Sequence, residues 1–190
     1  MTLADCGRVA EIRVGGWRAA YRGLMPQPYL DGLGVAADAD RHRARFTAAD
    51  RATVNLVAER EPGGEITGWA CHGPYRDGES RTADAELYAI YVAPEHYGNG
   101  TGGALLAESV RRCAEAGHAR MLLWVLKDNV RARRFYERAG FSADGTEEPF
   151  EAGGVLVPEV RYTRDLTWAW ESAPGPARRP GRAPGAPGPR

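Results

Sequence analysis

Lysine is nearly missing from these 190 residues: Lys127 is the single lysine among 25 basic side chains, set against 25 acidic ones. A Walker-type phosphate loop needs Gly-Lys-Ser/Thr, and a protein kinase needs a lysine-bearing strand and an H-R-D loop, so both are excluded. The scarcity fits the base composition of the coding sequence better than any chemistry. Cysteine is also scarce. Cys6, Cys71 and Cys113 are an odd number with no Cys-x-x-Cys spacing, which argues against a disulfide framework or a zinc site and points to a reducing cytoplasm. No apolar run approaches about 18 residues, and Met1-Thr2-Leu3-Ala4-Asp5 lacks the basic and apolar parts of a signal peptide. Neither secretion nor a membrane partner is expected.

Linkers and repeats are absent from residues 1–171, so one domain is expected there. Residues 172–190 differ: six of the 13 prolines, four glycines, four arginines and no acid lie in them, leaving 21 basic against 25 acidic residues before. Such a segment cannot bury apolar surface, and a disordered tail is expected. Its arginines have no interleaved aromatics to stack on bases, so no nucleic-acid partner is expected.

Apolar periodicity gives the elements. Val9, Ile12, Trp17, Ala20 and Leu24 lie near helical spacing over residues 5–22, with Pro26 and Pro28 ending that helix. Residues 38–49 read as a weaker helix. Residues 53–59 and 66–72 read as a hairpin around Pro62-Gly63-Gly64. Glu86-Leu87-Tyr88-Ala89-Ile90-Tyr91-Val92 is a strand stopped by Pro94. After a glycine-rich loop comes a helix with Leu105, Leu106, Ser109, Val110 and Cys113 on one face, ended at Gly117. Residues 120–126 form a continuous apolar strand. Asp128 or Asn129 can cap a further helix, and antiparallel strands follow, the last over residues 160–166. The order predicts a mixed α/β domain with one βαβ crossover at its centre.

The loop Gly98-Asn99-Gly100-Thr101-Gly102-Gly103 sits immediately before a helix. Its amides can face anionic phosphate oxygens with no side chains in the way; without a ligand it is only a flexible connection. Gly98, Gly100 and Gly103 satisfy the dinucleotide pattern G-x-G-x-x-G formally. Five residues separate them from the strand, however, and too few βα units follow for a dinucleotide fold.

Val92-x-Pro94-x-x-Tyr97-Gly98-Asn99-Gly100-Thr101-Gly102-Gly103-x-Leu105-Leu106 resembles the acetyl-coenzyme A pyrophosphate loop of GNAT family N-acetyltransferases, whose pattern is Q/R-x-x-G-x-G/A. Downstream, Asn129-x-x-Ala132-x-x-Phe135-Tyr136-x-x-x-Gly140-Phe141 resembles the family's second motif. The likeness covers residues 86–166 and, loosely, 17–33. It implies a mostly antiparallel twisted sheet flanked by helices, with acetyl-coenzyme A as co-substrate and no metal. Two departures stand out. Tyr97 replaces the usual Gln or Arg. The family's first strand normally precedes the first helix, whereas this chain opens almost at that helix, so that strand is either missing or encoded upstream.

The resemblance also implies roles. Glu86 matches the position of a catalytic glutamate in many members; read alone it is a solvated strand-end acid. Ile90, Tyr91 and Val92 would hold the pantetheine arm and the thioester carbonyl through their backbone. Gly98, Asn99, Gly100, Thr101, Gly102 and Gly103 would hold the pyrophosphate, and Asn129 either caps its helix or bonds the arm. Tyr136 resembles the tyrosine that protonates the leaving thiolate; read alone it is a core aromatic. Trp17, Tyr21 and Tyr29 could line an acceptor pocket or simply pack. Ribosomal-protein alanine acetyltransferases carry a glutamate where this chain has Trp124, which disfavours that subclass. The expected activity is direct acetyl transfer to a primary amine, a small molecule before a protein or peptide. A non-catalytic acyl-coenzyme A sensor is the remaining alternative, and a homodimer is left open.

Overall fold

The computed structural model describes residues 1–48, 52–78 and 80–167. The tail expected from Ser172 onward lies outside them. In chain order the elements are α1 (Cys6–Ala20), α2 (Gln27–Asp31), α3 (Val35–Ala48), β1 (Val54–Arg60), β2 (Glu65–Asp77), β3 (Ser80–Val92), α4 (Thr101–Glu115), β4 (Arg120–Leu126), α5 (Val130–Arg138), β5 (Ser142–Ala152) and β6 (Val155–Asp165). Among the described residues no helix is long and apolar enough to cross a membrane.

Six strands form one sheet in the order β1-β2-β3-β4-β6-β5, antiparallel throughout except for the β3–β4 pair. That parallel pair is joined through α4, which is the expected βαβ crossover. The mixed, mostly antiparallel architecture is therefore as the sequence predicts. Several lengths are not. Strands β2 and β3 extend to Asp77 and back from Ser80, beyond the expected ends, because a hairpin with Gly78 at φ 59° keeps them paired where the apolar pattern fades. The two prolines taken as helix stops instead begin α2, with Pro28 early in its first turn where a missing N–H costs nothing.

On one face of the sheet α4 buries Leu105, Leu106, Ser109, Val110 and Cys113, the stripe expected from spacing. Burying each leucine contributes about 1.5–3 kcal/mol. Phe135, Tyr136 and Ala139 of α5 pack against the same core, which includes Met121, Leu123 and Tyr162. On the other face α1 buries Val9, Ile12, Val14 and Trp17. It approaches β3 so closely that a Cβ on Gly16 would lie 3.0 Å from Cδ1 of Tyr91. A larger residue there would require the Tyr91 ring to give by a few tenths of an ångström.

Candidate active site

The site begins where the sheet opens. The β3–β4 ladder consists of Ala85 with Met121 and Glu86 with Leu122, and then it stops. Beyond it β3 stays paired to β2 as far as Val92, and β4 stays paired to β6 as far as Leu126. Residues 87–92 and 123–126 thus face each other across a split without bonding one another, and each edge keeps backbone groups that a ligand can pair with. Glu86 lies at the apex, and Ile90, Tyr91 and Val92 lie on the open edge.

The glycine loop closes the wide end of the split. Gly98 and Gly100 have φ of 83° and 90°, conformations that L side chains avoid. A Cβ at Gly98, Gly100 or Gly103 would meet nothing within 4 Å, so open space lies before this backbone. At Gly102 it would touch the Phe135 ring and Cγ2 of Val92, each at 3.6 Å, which fixes the loop between β3 and α5. Asn99 Oδ1 accepts hydrogen bonds from the Thr101 amide at 3.2 Å and the Thr101 hydroxyl at 2.7 Å, shaping the turn into α4. The first-turn amides of α4 have no carbonyl four residues back inside the helix and can serve an anion. Asn129 caps α5 by accepting from the Ala132 amide at 3.1 Å, and it is buried.

A β-bulge decides which side chains share the inner face. In the β2–β3 register Cys71 faces Ala89 and His72 faces Leu87, so Tyr88 is an extra residue. Residues five apart on an unbroken strand point to opposite faces. Here the bulge resets the alternation, and both Glu86 and Tyr91 line one cavity of about 710 Å³. Trp17, Asn55, Trp69, Arg45 and Arg76 are also in its walls. Trp69 stacks on Tyr91 with an interplanar angle of 12°, and its Nε1 donates to Asn55 Oδ1 at 3.1 Å. Of the three aromatics expected near an acceptor, Trp17 reaches the cavity. Tyr21 and Tyr29 pack on Trp17, with ring centroids 4.9 and 6.0 Å away, in a separate cluster with Leu126 and Ala152.

Burial pushes the Glu86 carboxyl up to about 7; the charge and backbone N–H of Arg76 oppose that rise and the Glu159 carboxylate adds to it. Burial likewise raises the Tyr136 phenol well above its ordinary value, with the nearby Tyr91 hydroxyl contributing. Among the described residues the Tyr136 hydroxyl has no hydrogen-bond partner, while its ring packs edge-on to Phe135 and Phe141. The Cys71 thiol, also on the cavity wall, is pushed up to about 12 by burial, so it is no nucleophile near neutrality.

Two features escaped the sequence reading. Glu159, on β6 opposite Leu126, is pushed up to about 7 by burial and by Glu148, and it influences Glu86, Tyr21 and Tyr91. Its alternation with Val160 reads as a solvent-facing acid, and no local signal marks it otherwise. Asp38 is the second. Its Oδ1 takes Arg13 at 2.8 Å and Arg41 at 2.7 Å, and His42 stands 3.4 Å from its Oδ2. Burial would raise this carboxyl, but His42, Arg41 and Arg13 together hold it at about 2.

Known proteins share this fold. The family model described as acetyltransferase (GNAT) family matches residues 17–141. The uncharacterized N-acetyltransferase YuaI of Bacillus subtilis (strain 168) is 31% identical over 159 residues, which are 83% of this chain and 86% of its own. The PaiA N-acetyltransferase of Thermoplasma acidophilum, solved in complex with coenzyme A, has a TM-score of 0.66 at 18% identity, covering 87% of this chain and 95% of that one. The Salmonella typhimurium acetyltransferase yncA, solved with its cofactor acetyl-CoA, has a TM-score of 0.65 at 22% identity, covering 94% and 96%.

Proposed function

Because the chain belongs to the acetyltransferase (GNAT) family, we propose that it transfers the acetyl group of acetyl-coenzyme A directly to the primary amine of a small molecule. The carrying observation is Glu86, which closes the apex of the β3–β4 split and at the same time lines the cavity of about 710 Å³. A volume of this order suits small ligands. The fit of the co-substrate is supported by the open space before Gly98, Gly100 and Gly103, where a diphosphate can meet backbone amides. The unpaired edge at Ile90, Tyr91 and Val92 can take an extended amide-bearing arm as it would another strand.

An alkylammonium near pKa ~10.4 costs roughly 4.6 kcal/mol to deprotonate at pH 7. Glu86, close to neutral pH, accepts that proton directly or through water. The free amine then forms its N–C bond with the thioester carbonyl carbon. Backbone N–H groups on the β3 edge stabilise the charge that develops on the carbonyl oxygen. As the C–S bond breaks, Tyr136 gives its proton to the departing thiolate and recovers one from the nitrogen, through solvent. A phenol with a raised pKa keeps its proton at neutral pH and so has one to give.

Release of free thiol across a library of small primary amines, with calorimetric titration of acetyl-coenzyme A, tests this reading. Thiol release that needs both a small amine and Glu86 is the expected result. Release only with peptide or protein amines overturns it.

A further inference from the structure

The charged side chains around the cavity are not equivalent. Arg13 and His42 both face the buried Asp38, which Arg41 also pairs with, so these charges are directed at one another. Arg45 and Arg76 also line the cavity, yet neither forms an ion pair with a described residue. Both are exposed, and both belong to the cavity's rim. Arg76 also stands near Glu86, since both line the cavity and the Arg76 charge acts on the Glu86 carboxyl. A site for an anion therefore lies beside the group that would receive the amine proton. The cavity also has flat aromatic walls, the stacked Trp69 and Tyr91 and the indole of Trp17.

We propose that the acceptor is an α-amino acid with an aromatic side chain, its amine facing Glu86, its carboxylate facing Arg76 and Arg45, and its ring against Trp69 and Tyr91. This rests on the acetyl-transfer reading above and uses the same balance: the N–C bond forms, the C–S bond breaks, and the amine protons pass to Glu86 and solvent. In an α-amino acid the amine and the carboxylate are separated by one carbon, which matches neighbouring Arg76 and Glu86 better than an amine and acid at opposite ends of a ligand. A lysine side chain in a protein, or a simple alkylamine, would bring no anion to Arg45 and Arg76.

Thiol release from acetyl-coenzyme A with L-tryptophan, L-tryptophanamide and L-alanine tests the assignment. The assay is run at pH 9, where Glu86 is ionised with or without Arg76. The amide carries the more readily deprotonated amine, so a preference for the acid cannot arise from a larger fraction of free amine. The expected kcat/KM for tryptophan exceeds that for its amide by about 10- to 100-fold, the size of a hydrogen bond to a charged group. Arg76→Gln should remove most of that preference, raising KM for tryptophan far more than KM for the amide. Arg45→Gln, on α3 rather than on the sheet, should act in the same direction and guards against misfolding of the first variant. If tryptophanamide matches or exceeds tryptophan, or alanine matches tryptophan, the inference fails and the small-amine reading stands. If only peptide amines release thiol, the acetyl-acceptor reading fails and this inference with it.

Discussion

The guanidinium of Arg131 lies over the ring of Tyr97, its central carbon 4.5 Å from the ring centroid. Tyr97 occupies the position where the family pattern has Gln or Arg, so the motif by itself lacks a polar side chain at the mouth of the loop. The first turn of α5 returns a cation to that place. Arg131 forms no ion pair with a described residue and is held by the aromatic face. We expect Arg131→Gln to weaken coenzyme A binding about 10-fold, with the loss shrinking as salt is added, because an exposed charge is screened. Calorimetric titration at two ionic strengths reads both effects. Unchanged affinity would mean that the stack is only structural.

Two glycines in the loop separate space from strain. Gly103 has an ordinary backbone and nothing near a would-be Cβ, whereas Gly100 combines the same open space with φ 90°. Gly103→Val should therefore lower coenzyme affinity and leave the melting temperature nearly unchanged. Gly100→Val should lower both, its backbone strain being about 1–3 kcal/mol. Equal coenzyme affinity in Gly103→Val and the parent protein would remove the loop from the binding site.

Tyr136→Phe keeps the ring that packs between Phe135 and Phe141 and removes a hydroxyl that bonds no described residue. Folding stability should hold or rise slightly. Turnover should fall about 10²- to 10⁴-fold, the usual contribution of a general acid, while coenzyme affinity changes by less than about tenfold. Stopped-flow thiol release and calorimetry together distinguish this from a purely packing role, which would leave turnover intact.

Glu86 gives opposite pH trends for activity and stability. With its carboxylate as the proposed base, kcat should rise with pH through about 7 and then level, and Glu86→Gln should lose that rise. In the folded protein the group holds its proton up to about 7, whereas the unfolded chain releases it near the ordinary value of 4.5. The folded state therefore binds more protons between these values, and the stability tied to this proton is lost as pH rises from 4.5 through 7. Chemical denaturation of the parent protein and Glu86→Gln at pH 5 and pH 8 should show the variant gaining relative stability at the higher pH.

Much of the frame was legible because its causes are local. Glycines at positive φ, the α4 stripe from Leu105 to Cys113, the Asn129 cap and the apolar run of β4 depend on neighbours within a turn or two. The pairing of two motifs in order then carried the family and the fold. Longer-range facts were not legible in the same way. The extents of β2 and β3 follow from mutual pairing, which overrides a fading apolar pattern, and α2 forms where two prolines seemed only to stop a helix.

From its sequence alone, this protein has a glycine loop fit for phosphates, a carboxyl at Glu86 and a phenol at Tyr136. Only the tertiary structure shows how they are placed. The bulge at Tyr88 brings Glu86 and Tyr91 to the same cavity although five residues separate them, and the split after Glu86–Leu122 opens a backbone edge beside them. The burial that raises Glu86 and Glu159, and the stack that sets Arg131 on Tyr97, join residues from strands and helices far apart in the chain. Periodicity and motif spacing report what a residue does to its immediate backbone. The charge state of a carboxyl and the partner of a guanidinium depend on what is packed around them, and that is fixed only when the sheet and helices close.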